Sequence, residues 1–144
     1  MAEQADMHSR IVALFEQFDR AMDKQSGADV AALYHLPAVI MNDDEKLVYT
    51  DRQELERRIT NILGLFQQSG VVHHHGEVAH VMRLSEAIWF CTVDWQLKDE
   101  QHNVIEHCMT SHTLQLNGEL QIIISVIDEN ITRLLNVAAQ RGST

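Results

Sequence analysis

The stretch that decides the fold is His112-Thr113-Leu114-Gln115-Leu116-Asn117-Gly118-Glu119-Leu120-Gln121-Ile122-Ile123. Two runs of β-forming residues flank Asn117-Gly118, a dipeptide whose members both tolerate positive φ and so favour a two-residue hairpin turn. Such a turn pairs Leu116 with Glu119, Leu114 with Gln121, His112 with Ile123, Thr110 with Ser125 and Cys108 with Ile127. Each pair then shares one face of the sheet.

Two further β-rich segments precede this hairpin, so that four follow one another from Val71 to Asp128 with only short polar turns between them. A turn over Lys98 to Asn103 sets Cys108 beside Val93, Thr110 beside Cys91 and His112 beside Trp89. A turn at Leu84-Ser85 sets His80 beside Trp89 and His74 beside Trp95. One face then carries His74, His80, Trp89, Cys91, Val93, Trp95, Cys108, Thr110, His112, Leu114, Ile123 and Ser125. The other carries Val81, Ile88, Phe90, Met109, Ile122, Ile124 and Val126. Both faces are apolar, whereas an antiparallel sheet with one wet side alternates. Helices can cover one face, and a second copy of the chain, packed sheet to sheet in an isologous dimer, is expected on the other.

The helices come from the first half of the chain. Met7, Ile11, Leu14, Phe15, Phe18 and Met22 recur at helical spacing, with Glu16, Asp19, Arg20 and Asp23 as the polar positions between them. Gln25-Ser26-Gly27 breaks this helix, and a short second one is expected over Asp29 to Tyr34, stopping before Pro37. Ala38 to Asn42 and Lys46 to Thr50 read as strands around an acidic turn. Asp51 then caps a third helix, with Glu54 completing a capping box, and Ser69-Gly70 ends it. A terminal amphipathic piece holds Ile131, Leu134, Leu135 and Ala138. The expected architecture is α+β: three helices packed on one face of a curved, mainly antiparallel sheet, in a single domain spanning 1–144.

Composition narrows the function. The chain has 144 residues, 45% of them hydrophobic and 22% charged, enough for a core. No apolar run reaches the roughly 18 residues of a membrane span. Its formal charge of −10, from 21 acids against 11 Lys and Arg that never cluster, argues against nucleic acid as a partner. The acidic start lacks the features of a secretory signal, so a cytoplasmic location is expected, with Cys91 and Cys108 as buried thiols.

The element order, the segment Ala32-Leu33-Tyr34-His35-Leu36-Pro37-Ala38, the helix after Tyr49-Thr50-Asp51 and the last hairpin together resemble the nuclear transport factor 2-like (NTF2-like) superfamily, particularly its SnoaL-like bacterial members. The resemblance covers nearly the whole chain. It implies a cone whose mouth binds a small hydrophobic molecule, lined here by Phe18, Tyr34, Asn42 and the inward sheet residues Trp89, Cys91, Val93, Trp95, Cys108, Thr110, Leu114, Ile123 and Ser125. It also implies a homodimer formed through the convex face, with Ile88, Phe90, Met109, Ile122, Ile124 and Val126. No cofactor is implied. Alignment by element order puts Phe18, Asn42 and His112 where ketosteroid isomerases carry a tyrosine and two aspartates, so that chemistry is lost. The Asp-Arg-Asp set of the epoxide hydrolases has no counterpart, because Asp94 falls outward. Scytalone dehydratase finds a partial echo in His80, His112 and Tyr34.

His80 and His112 flank Trp89 in this register, about 9 to 10 Å apart at two strand spacings. An imidazole pair can give and take protons, which suits a dehydratase, isomerase or cyclase. The alternative is a pair of neutral core histidines bonded to Thr110, Ser125 or backbone, in a non-catalytic ligand-binding or adaptor homodimer. His73-His74-His75 alternates along a strand, with His73 and His75 outward. Two imidazoles there lack the further ligands of a zinc site, and no metal is expected. The acidic turn Asp43-Asp44-Glu45 lacks the spacing of a calcium loop.

Overall fold

The computed structural model describes residues 2–142, with side chains described for residues 5–141. In chain order the elements are α1 (Ala2–Asp23), α2 (Gly27–Ala31), β1 (Tyr34–Met41), β2 (Lys46–Tyr49), α3 (Arg52–Gln68), β3 (His73–Arg83), β4 (Ile88–Lys98), β5 (Val104–Asn117), β6 (Glu119–Ile127) and α4 (Glu129–Gly142). The strands form one six-stranded sheet in the order β2-β1-β6-β5-β4-β3, antiparallel except for the β1/β6 pair. The architecture is the expected α+β one, but three helices is one too few: the terminal amphipathic piece is α4, which packs against α3 and buries Ile131 and Ala138. No described helix is long and apolar enough to cross a membrane.

Local signals place the helices. Asp51 caps α3 by accepting from the Gln53 N–H at 3.0 Å, and Gly70, at φ 87°, turns the chain out of it. The second helix starts earlier than its apolar pattern suggests, because Ser26 accepts from the Asp29 N–H and caps it at Gly27. Tyr34 consequently leaves the helix and opens β1. Arg52, in the first turn of α3, donates to the carbonyls of Ala31 and Tyr34, the latter at 3.2 Å, which holds the start of β1 in place.

Register departs from the expected one at three places. The β5–β6 turn is tighter, with Asn117 opposite Glu119 and only Gly118 at positive φ (77°). Ile123 then lacks a partner between the pairs Leu114–Ile122 and Thr113–Ile124, and this bulge sets His112 opposite Ser125, two residues from the expected partner Ile123 but on the expected face. Ile122 is therefore fully buried against the inner face instead of facing outward, and Ile123 is half-buried at the bulge. Between β4 and β5 the pairs slide by two residues, putting Cys91 opposite His112, Val93 opposite Thr110 and Trp95 opposite Cys108, which keeps the expected faces. In β3 the register shifts between Val78 and His80, leaving Ala79 unpaired. Beyond it His80 pairs with the outward Thr92, and Val81 pairs with the inward Cys91. The bulge lets Val78 and Val81, three residues apart, both pack on the core, which strict alternation forbids.

Candidate functional site

A cavity of about 90 Å³ lies between the inner face of the sheet and the helices. Apolar side chains from every helix contribute to its wall: Phe18 and Met22 of α1, Val30 of α2, Ile59, Ile62, Leu63 and Phe66 of α3, and Ile131 of α4. The sheet adds Tyr34, Ile40, His74, Trp95, Leu97, Cys108, Thr110, His112, Ser125 and Ile127. Among the described residues no Asp, Glu, Lys or Arg side chain reaches this wall. It has the polarity of a site for a neutral molecule, on a scale below the roughly 300–1,000 Å³ of drug-sized pockets.

Five of its polar side chains form one chain of hydrogen bonds. Trp95 Nε1–H donates to Thr110 Oγ1 at 2.8 Å, and Thr110 Oγ1 lies 2.7 Å from His112 Nε2. His112 Nδ1 lies 2.8 Å from Ser125 Oγ, which lies 2.7 Å from the Tyr34 hydroxyl. Burial pushes His112 down to about 3 and the Tyr34 hydroxyl up to about 12, the Ser125 hydrogen bond opposing the latter shift, so both are neutral at pH 7. A neutral imidazole has one donor and one acceptor. The chain therefore runs in one of two directions, from Trp95 towards Tyr34 or from Tyr34 towards Thr110. In both, one hydroxyl hydrogen, on Tyr34 or on Thr110, finds no acceptor among the described hydrogen bonds. Rings pack around this chain: Phe15 lies 4.7 Å from the His112 ring and Phe18 lies 5.8 Å from Trp95.

The second polar feature arises where α1 meets the edge strand β3. Asp23 Oδ1 accepts from the His74 backbone N–H at 2.9 Å and sits 3.0 Å from His74 Nδ1, while Asp19 Oδ2 accepts from the Gly76 N–H at 3.3 Å. Two carboxylates one helical turn apart thus satisfy alternate amides of a strand that has no neighbour on that side. The carboxylate of Asp23 can only accept, so Nδ1 carries the ring proton and Nε2 presents its lone pair. That Nε2 is buried and has no hydrogen-bond partner among the described residues, in a side chain that lines the cavity. Burial lowers the His74 pKa, against the raising effect of Asp23. Gly76 is required beside this pair, because a Cβ there would lie 2.7 Å from the Trp95 ring.

The expected site residues divide accordingly. Phe18, Tyr34, Trp95, Cys108, Thr110, His112 and Ser125 line the cavity. Trp89, Cys91, Val93 and Leu114 face inward but are packed in the core away from it, and Ile123 sits at the bulge. Asn42 is a turn residue: its Oδ1 accepts from the N–H groups of Asp44 and Glu45, and it does not reach the cavity. His80 is exposed on the outward face, so it cannot pair with His112 across a ligand. Burial pushes the Cys91 and Cys108 thiols up to about 12, which removes Cys108 as a thiolate nucleophile. His73 stacks on His102 at 4.2 Å, and among the described residues no group of three or more His, Cys, Asp and Glu is placed to hold a metal ion.

Sequence reading alone misses Asp23, the role of His74 and the wall supplied by α2, α3 and α4. It places His74 on the inward face, but the carboxylate partner of this histidine is 51 residues away. The available signal is the pair Asp19 and Asp23, one turn apart and each next to a buried apolar residue, Phe18 and Met22.

Helices enclosing an apolar cavity over one face of a sheet with this strand order define an NTF2-like α+β protein. Residues 7–130 match the family described as NTF2-like protein (DUF6841), and the chain belongs to that family. It is similar in structure to a protein of unknown function from Mycobacterium tuberculosis, with a TM-score of 0.68 at 13% identity over 97% of this chain and 92% of that one. A domain of unknown function with a cystatin-like fold from Nostoc punctiforme has a TM-score of 0.69 at 16% identity, covering 94% of this chain and 91% of its own. Aln2 from a Streptomyces species has a TM-score of 0.66 at 16% identity, covering 92% of this chain and 96% of its own. No curated protein matches significantly. These likenesses show the fold.

Proposed function

We propose that the protein binds a small, neutral, largely apolar molecule, on the scale of a single ring, in its cavity, in the manner of SnoaL-like proteins. The observation that carries this reading is the cavity wall itself: apolar side chains from all four helices and no charged group among the described residues. A structural adaptor would close such a space, since unfilled apolar volume forfeits packing.

A thermal-shift screen with small cyclic compounds tests the reading. Binding stabilises by about 2.7 kcal/mol at a hundredfold excess over Kd, and Ile131→Phe, which fills the cavity from α4, abolishes the shift. Compounds that leave the melting point unmoved, or move it equally in the filled variant, defeat the pocket.

A self-association reading is favoured by the outward sheet face, where Met82 (57% exposed), Met109 (44%) and Val126 (37%) lie beside the half-buried Ile88, Phe90 and Ile124. The expected homodimer uses this surface, without Ile122.

A further inference from the structure

We propose that a second copy of the chain docks on the outward sheet face through a polar groove of histidines and carboxylates, and that this groove admits the partner only when its imidazoles carry protons. The proposal rests on the self-association reading above and adds its control by pH.

Strand register builds the groove. On the outward face His75, Gln96 and His107 stand side by side across β3, β4 and β5, and Glu77, Asp94 and Met109 form the next row. Beyond the β3 bulge a third row holds His80, Thr92, Ser111 and Val126. A groove of about 310 Å³ is lined by His75, Glu77, Asp94, Gln96 and His107. It continues the apolar part of the same face, where Met82 and Met109 are exposed beside Phe90 and Ile124.

Its charges are of two kinds. Glu77 and Asp94 lie directly opposite each other on neighbouring strands, where like charges repel. Among the described residues no Lys or Arg side chain stands in these three rows or lines the groove. Lys98 is four residues along β4 from Asp94, roughly 13 Å at the rise of a strand. The other neighbours are already engaged: His73 stacks on His102, Asp19 and Asp23 bond the edge amides of Gly76 and His74, and Asp128 accepts from the Met109 N–H at 2.7 Å. That leaves His75, His80 and His107 as the side chains that can become cationic beside the carboxylate pair, and all three are diagonal cross-strand neighbours of Asp94.

In the free chain water solvates Glu77 and Asp94, both of which are exposed. A second sheet laid on this face removes that water, and carboxylates without a cationic partner resist the transfer. At alkaline pH each copy brings the negative pair to the contact, and the faces repel. Histidine gains its proton between about pH 8 and 5. Protonated His75, His80 and His107 then donate charge-assisted hydrogen bonds to the carboxylates of either copy, and two like faces become complementary. The apolar rows supply burial at every pH, and the groove decides whether that burial is reached.

The test is sedimentation velocity of the full chain, dye-labelled at its amino terminus, in dilution series at about pH 8 and about pH 6, where imidazole changes charge. The expected dimer Kd is at least about tenfold tighter at the lower pH, the small end of the coupling measured for close charge pairs across an interface. Glu77→Gln with Asp94→Asn reverses the dependence: its groove is uncharged at the higher pH and carries only like positive charges at the lower. Circular dichroism of this exposed-site variant verifies the fold at both pH values. A wild-type Kd that is equal at the two pH values or tighter at the higher, or a pH dependence that the double variant leaves unchanged, overturns the proton control alone. A wild-type chain that stays monomeric at both pH values overturns the self-association and its control together.

Discussion

One oxygen of Asp23, at the C-terminal end of α1, receives both the backbone N–H and the ring Nδ1 of His74, at 2.9 and 3.0 Å. The contact locks the helix to the edge of the sheet, because His74 is fully buried while the Asp23 side chain is 38% exposed. Asp23→Ala leaves a buried ring N–H and a strand-edge amide without their acceptor and is expected to cost about 1–3 kcal/mol in urea unfolding. A cost below about 0.5 kcal/mol, the scale of an ordinary surface change, contradicts that accounting.

Asp19 titrates in an unusual range. Burial is the main cause that raises it to about 7, the charges of Asp23 and Glu16 add to this, and the Gly76 N–H and Arg20 oppose it. The folded chain therefore holds a proton that the unfolded chain releases near 3.8. Its contribution is complete below that value and is lost as pH rises through about 7. Asp19→Asn removes the loss, so the variant gains melting temperature over wild type at pH 8 and the gain shrinks towards pH 4. A constant difference across this range rules out the titration.

His112 acts in the opposite sense. Its folded pKa of about 3 lies below the ordinary 6.5, so its contribution is full above pH 6.5 and is lost as pH falls towards 3. Unfolding gains at most about 1.4 kcal/mol per pH unit from this site. Between roughly pH 4 and 6.5 the two residues offset each other. His112→Gln is expected to remove this offset, so that between about pH 4 and 6.5 the variant gains stability relative to wild type as pH falls, from a neutral-pH cost of about 1–3 kcal/mol for the disrupted buried hydrogen bonds. An unchanged acid slope contradicts it.

Gly76→Ala is expected to displace Trp95, since the added Cβ meets three atoms of its ring within 2.9 Å. The ring cannot move without losing its bond to Thr110, so a loss of about 1–3 kcal/mol is expected, with a changed tryptophan emission spectrum. Emission and stability both equal to wild type refute the close approach.

Self-association through the outward sheet face predicts that Met109→Lys with Val126→Lys, both exposed in the monomer, yields monomer by light scattering with the fold intact by circular dichroism. Charges added to an apolar face are repelled by their counterparts in an isologous pair. Dimers that persist unchanged exclude this surface.

Much is legible in the sequence because it is local. The apolar spacing of α1, the Asp51 cap, the Ser69-Gly70 stop and the four β-rich runs each follow from neighbouring residues. The inward face holding Trp95, Thr110, His112 and Ser125 is the expected one even though the partners slide by one or two residues. A slide of two preserves the face, which is why these assignments tolerate a wrong register.

What the tertiary structure alone decides lies at two bulges and one long-range bond. Ala79 and Ile123 are ordinary β-formers or neutral residues in their strands, and nothing adjacent marks them as unpaired. The bulges form because Val78 and Val81, and likewise Ile122 and Ser125, are three apart and all turn inward. That choice sends His80 outward and Ile122 inward, against the alternating pattern. Asp23 reads as a solvated helix position, since its partner is 51 residues further along. Periodicity within a strand or helix determines which residues can be buried. Packing between elements determines which buried polar atoms meet, and it gives His74 its carboxylate and leaves its other nitrogen buried without a hydrogen-bond partner among the described residues.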